Sequence, residues 1–77
     1  MNNTRRAQLR KAIELLETAK TIIEEAQEQE QDARDNLPDS LQESERADDL
    51  QENADDLQES YDSLDDIVET ITEIVER

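Results

Sequence analysis

A seven-residue repeat is the feature of this sequence that most constrains its fold. The segment ADDLQEN, which begins at Ala47, is followed at once by ADDLQES, and the same spacing continues in weaker form to the C-terminus. Apolar residues at such 3-4 spacing are typical of a helix that packs along a seam against another helix. In this half of the chain they are Ala47, Leu50, Ala54, Leu57, Tyr61, Leu64, Val68, Ile71 and Val75.

The first half of the chain carries a matching seam. Its apolar positions are Leu9, Ala12, Leu16, Ala19, Ile23, Ala26 and Ala33. Between the halves, Pro38 cannot continue an upstream helix and moves the residue before it out of the helical region. Ser40 and Glu43 form the pattern of a capping box, and Ser44 is a second possible N-cap one turn later. We therefore predict helices over about residues 4–35 and 44–76, joined by a turn over residues 36–43.

Equal helix lengths and a short connection predict an all-α fold, an antiparallel two-helix coiled-coil hairpin formed by residues 1–77 as a single unit. A register in which paired residue numbers sum to 80 makes every seam layer apolar except one. That layer pairs Glu30 with Leu50, and we expect Arg34 or Arg46 to neutralise the acid. The other layers are Leu9–Ile71, Ala12–Val68, Leu16–Leu64, Ala19–Tyr61, Ile23–Leu57, Ala26–Ala54 and Ala33–Ala47.

The two ends of the hairpin differ in the width of their apolar stripe. We call residues 1–23 and 60–77 the root, and residues 24–59 the tip. At the root, Leu15, Ile22, Ile67 and Ile74 lie beside the seam, so the stripe is too wide for one partner helix to cover. This predicts a homodimer that forms a four-helix bundle at the termini end. The alternative is that the stripe is a docking face for a different protein.

Charge follows the same division. The chain has 23 acidic and 8 basic residues, a net charge of −15, and the tip holds fifteen of the acids against only Arg34 and Arg46. Repulsion between like charges should make the tip the least stable part, and salt, mild acid or a cationic partner should stabilise it. At the root we expect Arg5, Arg6, Arg10, Lys11 and Lys20 to be neutralised by Asp66, Glu69, Glu73 and Glu76.

The composition excludes most catalytic chemistry. The chain has no cysteine, histidine or glycine, and so no thiol nucleophile, imidazole base or phosphate-binding glycine loop. Adjacent acids such as Asp48 and Asp49 point about 100° apart on a helix and cannot converge on one cation. We expect no enzyme activity, no cofactor and no metal site. Apolar runs of two residues at most predict no membrane span and a cytoplasmic protein.

The turn carries a resemblance to a known group of proteins. Asn36-Leu37-Pro38, Ser40-Leu41-Gln42 and Ser44-Glu45-Arg46, after a basic opening, resemble the NLPxSLQxSER-type turn of short helical proteins encoded in phages and prophages. The similarity covers nearly the whole chain but is specific only around the turn. It implies a phage setting, in which very acidic small proteins inhibit host defence nucleases or other DNA-binding proteins. It also suggests partner contacts by Leu41, Gln42 and Arg46, unless Leu37 and Leu41 plug the open end of the seam.

Two functions are compatible with this pattern. The tip carries one carboxylate per about 1.8 Å of its axis, close to the one charge per about 1.7 Å of duplex DNA. This favours a DNA mimic that inhibits a basic, nucleic-acid-handling host protein (an anti-nuclease or anti-CRISPR role) and binds no nucleic acid itself. The alternative is a structural or assembly accessory protein that acts through its apolar root, with acids serving solubility alone. The predicted partner-binding acids are Glu24, Glu28, Asp32, Asp35, Asp48, Asp49, Glu52, Asp55, Asp56 and Glu59.

Overall fold

Two long antiparallel helices make up the protein in a computed structural model that describes all 77 residues. Helix α1 spans Asn3–Asp35 and helix α2 spans Glu45–Glu76, with a single 3-10 turn at Asp39–Leu41 between them. The hairpin is a rod of 60 × 15 × 12 Å. The predicted fold class, an all-α helical hairpin, is confirmed.

The N-terminus of α2 is set by Ser44. Its Oγ accepts a hydrogen bond from the backbone N–H of Ala47 at 3.2 Å and donates one to the carbonyl oxygen of Leu41 at 2.6 Å. Such a cap satisfies an amide that has no partner within the helix. Ser40 lies inside the 3-10 turn, so the capping box predicted for Ser40 and Glu43 does not begin α2. The alternative N-cap, Ser44, does.

The seam follows the predicted layers along most of its length. Every residue of those layers is buried or half-buried except Ala33, which is exposed. The predicted Ala33–Ala47 layer is therefore wrong. A straight helix of 3.6 residues per turn drifts by about 20° per heptad relative to a 3.5-residue repeat. By the end of α1 this drift has turned Gln31 and Arg34 toward α2, and both are half-buried.

Polar contacts between the helices show the register. Lys20 contacts Tyr61 and Asp65, Gln31 contacts Gln51, and Asn53 donates to Glu30, so the paired residue numbers sum to between 81 and 85. These sums lie slightly above the predicted value of 80. The difference is expected, because helical side chains lean toward their own N-terminus and antiparallel partners therefore meet at larger residue numbers.

Shortening a core side chain at the tip should destabilise the hairpin strongly. Leu50 is only 4% exposed, so Leu50→Ala leaves a cavity and should lower the free energy of unfolding by about 2–4 kcal/mol. The matched control is Leu41→Ala in the turn, where the side chain is 43% exposed and the expected loss is below about 0.5 kcal/mol. Urea unfolding at one fixed protein concentration measures both. Equal losses in the two variants would contradict this packing.

Candidate functional site

One ion pair joins the two helices. Lys20 Nζ donates to Asp65 Oδ1 at 2.6 Å, lies 3.5 Å from Glu17 Oε2 and sits 5.0 Å from the centre of the Tyr61 ring. Only 8% of the Lys20 side chain is exposed. The hydrogen bond to Asp65 raises the pKa of Lys20 above its ordinary value of 10.5. Burial opposes this rise, and the negative charges of Asp65 and Glu17 add to it.

The remaining basic residues of the root are not neutralised as the charge pattern predicted. Lys11 pairs with Glu14 on its own helix at 3.5 Å. No ion pair involves Arg5, Arg6, Arg10, Asp66, Glu69, Glu73 or Glu76. The acid opposite Lys20 is Asp65 because each follows a seam residue directly, and such positions face each other across an antiparallel pair. The position of each residue directly after a seam residue is the feature of the sequence from which this pair could have been predicted.

The seam is displaced toward the side that carries Lys20, which we call the closed side. Ile13 and Gln27 share this side of α1 and are half-buried, as is Thr72 on α2. The helices have therefore rotated together so that these mostly polar residues join the seam. The rotation turns the opposite side of both helices outward.

That opposite side, the root face, carries the larger aliphatic residues. Leu15 is 60% exposed, Ile22 is 61% exposed and Ile67 is 47% exposed, while Ile74 is half-buried. Between them lie the exposed hydroxyl residues Thr18 and Ser63, which complete the root face as we define it. The hairpin alone thus leaves an apolar patch in water, as the sequence predicted for these four aliphatics. Such patches on small proteins commonly mark interaction sites.

Gln42 holds the turn together. Its Nε2 donates to the carbonyl oxygens of Leu37 at 2.6 Å and Arg34 at 3.4 Å, and its Oε1 accepts from Arg34 Nη1 at 2.8 Å. These bonds satisfy carbonyls that the end of α1 leaves without helical partners. Gln42 is therefore occupied within the turn, whereas Leu41 and Arg46 are exposed. Leu41 is too exposed to plug the seam, and Leu37 is half-buried there.

The acid within the seam is bonded by an amide. Asn53 Nδ2 donates to Glu30 Oε2 at 3.0 Å. Neither Arg34 nor Arg46 forms an ion pair with Glu30, so the predicted rescue by arginine is wrong. Arg34 is held at the turn instead, because its guanidinium bonds the side chain of Gln42. Glu30 thus has no basic atom within ion-pair distance.

Polar side chains also close the tip seam. Gln31 and Gln51 form a reciprocal amide pair, with N···O distances of 3.3 Å and 3.1 Å. Near them lie the core residues Ala47 at 1% exposure, Leu50 at 4% and Ala54 at 1%. The tip seam combines alanines with Leu50 and Leu57, and three of its residues are buried although Ala33 is exposed. This packing counteracts the charge repulsion that we expect at the tip.

All ten acids predicted for partner binding are exposed. Among them only Asp35 has a basic atom within ion-pair distance, the neighbouring Arg34 Nη1 at 4.0 Å. Asp49 and Asp56 lie on the same side as the root face, while Asp48 and Asp55 lie on the closed side, so the acids surround the tip. The result is a strongly negative surface held on a helical support.

Comparisons with known proteins add no relative. No protein-family model matches the chain, and neither the curated proteins nor the solved structures gave a match. The hairpin has no pocket and no group of three or more acids placed to hold a metal ion. Neither helix contains an apolar stretch long enough to cross a bilayer. The two candidate sites are surfaces, namely the root face and the acidic tip.

The Lys20–Asp65 pair should make stability fall at alkaline pH. The pKa of Lys20 is raised in the folded state, so the stability from the pair is complete below the ordinary value of 10.5 and is lost as pH rises through the folded value. Urea unfolding of the wild type and of Asp65→Asn, between about pH 8 and about pH 11.5, measures the difference. The gap in free energy of unfolding should be constant at the lower end and shrink at the upper end.

The control is to repeat the comparison of wild type and Asp65→Asn with Tyr61→Phe in both proteins. This substitution removes the one phenol near the Lys20–Asp65 pair. If the gap between the wild type and Asp65→Asn stays constant across the whole range, Lys20 does not act through Asp65.

Proposed function

We propose that this chain is a small, non-enzymatic binding protein whose tip occupies the DNA- or RNA-binding groove of a basic protein and thereby blocks it. The observation that carries the proposal is the exposure of the ten tip acids, of which only Asp35 lies near a basic atom. A positively charged groove would supply the cations that the hairpin lacks. Complementary charge of this kind increases the association rate and the specificity of binding.

The spacing of the acids supports a rigid mimic over a flexible acidic tail. On α2, Asp48 and Asp55 form one row and Glu52 and Glu59 another, each with a repeat of about 10.5 Å along the axis. The helix backbone and the sealed seam hold these rows in place before binding. Charges that are already positioned lose less conformational entropy on association than those of a disordered segment.

The resemblance of the turn to that of short phage and prophage proteins is the basis for the setting we propose. In proteins of that kind the basic partner would be a host defence nuclease, a CRISPR effector or another DNA-binding protein. The hairpin would then act in the host cytoplasm, bind the protein and make no contact with nucleic acid. Arg46 and Leu41 are exposed at the end of the rod and are available for secondary contacts.

Neutralising the tip should abolish capture of such a partner. We expect the wild-type chain, immobilised, to retain basic nucleic-acid-binding proteins from a bacterial lysate at about 50 mM salt and to release them at about 500 mM. A duplex DNA oligonucleotide should displace them as well. The variant with Asp48, Asp49, Asp55 and Asp56 changed to asparagine should bind the recovered protein at least about tenfold more weakly, or about 1.4 kcal/mol.

A matched control changes the same number of charges at the root. It replaces Asp62, Asp66, Glu69 and Glu73 by their amides and should leave binding within about twofold of the wild type. Equal loss in both variants would indicate a general effect of net charge. Captured proteins that DNA does not displace would contradict the groove-blocking proposal.

A second candidate function rests on the root face. Leu15, Ile22 and Ile67 remain exposed in the hairpin, which favours an assembly or accessory protein that works through this patch. On this alternative the acids only keep the chain soluble. Polar substitutions at Ile67 and Ile74 would then abolish activity, while neutralising the tip would leave activity intact.

A further inference from the structure

We propose that the root face binds a second copy of this chain in antiparallel orientation, so that the two acidic tips point away from each other. This inference does not depend on what the tip binds. It identifies one occupant for the patch formed by Leu15, Ile22, Ile67 and Ile74, and it gives the orientation of that occupant.

The first step is the choice of side on which the seam is closed. The helices bury Lys20 and half-bury Ile13, Gln27 and Thr72, while Leu15 and Ile22 stay about 60% exposed. An isolated hairpin would gain more from burying the aliphatic side, because the free energy of burial grows with apolar area. Rotation of the two helices toward the closed side is favourable overall if a second apolar surface covers the root face, because the aliphatic residues left out of the seam are then buried as well.

The second step is the absence of acids on the root face. The root face and the heptad positions that continue it toward both of its ends carry no acid. These residues are Lys11, Leu15, Thr18 and Ile22 on α1, and Ser60, Ser63, Ile67, Thr70, Ile74 and Arg77 on α2. The chain has 23 acids among 77 residues, so most of its surface repels other negatively charged molecules. Because the root face has no acids, another strongly negative molecule can approach closely there. A second copy of the chain is such a molecule. A two-fold interface would pair the patch with itself.

The third step is orientation, which charge decides. Lys11 and Arg77 lie at the termini end of the root face, and Glu25 and Asp56 lie where it meets the tip. A parallel pair would set the basic residues against their own copies and bring two tips of fifteen acids each side by side. An antiparallel pair brings Arg77 near Glu25 and Asp56 of the second copy. It also separates the tips by many Debye lengths.

The packing is compatible with this orientation. With the two-fold axis level with Leu15 and Ile67, those residues from both copies form a central layer. Ile22 of one copy and Ile74 of the other then lie level in each outer layer. The overlap is about 33 Å long, so roughly 1,000 Å² is buried in total, near the lower limit for a specific interface. The dimer should therefore be in the micromolar range.

The first test is the oligomeric state. Sedimentation equilibrium from about 1 to 500 μM should give twice the 8.9 kDa mass of one chain at the upper end, and added salt should strengthen association because it screens two chains of net charge −15. This salt response is opposite to that expected for binding at the tip. A monomer at every concentration and salt level would overturn the proposal.

Two variants test the face itself. Ile22→Gln with Ile67→Gln should raise the dimer Kd at least about a hundredfold while helicity is retained, because both side chains are largely exposed in the hairpin. Thr18→Glu with Ser63→Glu keeps every apolar residue and should have the same effect through charge. Leu41→Gln, a similarly exposed position in the turn, is the control and should dimerise normally. A dimer that survives both double variants would overturn the assignment.

Orientation is tested by one engineered cysteine, since the chain has none of its own. Spin labels at Ser40→Cys should lie more than about 60 Å apart in an antiparallel dimer, and within about 25 Å in a parallel one. Pulsed dipolar spectroscopy measures this distance. The short distance would overturn the antiparallel arrangement.

Discussion

The hydrogen-bonded ion pair between Lys20 and Asp65 joins the two helices on the side of the hairpin where the seam is closed. A coiled-coil seam can turn toward either flank, and here the flank with a buried lysine is the one that closes. The Lys20 side chain is only 8% exposed, while that of its partner Asp65 is 63% exposed, so solvent reaches one side of the pair. The root face lies on the opposite flank of the hairpin and is exposed. The surface left for association is thus the flank opposite this contact.

The two ends of the rod have opposite surface chemistry on one continuous scaffold. The root face is apolar and free of acids, while the tip is surrounded by carboxylates, of which only Asp35 lies within ion-pair distance of a basic atom. Each end is stabilised in a different way. At the root, aliphatic layers make the seam, whereas at the tip small core residues are sealed by the amides of Gln31, Gln51 and Asn53. Neutral amides can lie beside many carboxylates without adding to their repulsion.

The heptad spacing was sufficient to predict the fold and the apolar root stripe, and Pro38 with the serine N-cap predicted the position of the turn. It failed at Ala33, because the repeat does not record the cumulative rotation of a straight helix. It also failed for Lys20 and Arg34, whose partners depend on which flank closes and on where a turn amide points. The identity of a partner for the tip is not contained in the spacing, since exposed carboxylates attract any cationic surface.

The reversal of the chain is made without glycine or any residue of positive φ. Pro38 interrupts the helix, and the Gln42 side chain ties the last carbonyls of α1 to the segment that follows. Hairpins of this length can otherwise straighten at the hinge into one long rod and exchange helices between molecules. Here proline destabilises the straight form, and the Gln42 amide stabilises the bend. Domain swapping is therefore disfavoured, and each molecule enters any assembly as a finished hairpin.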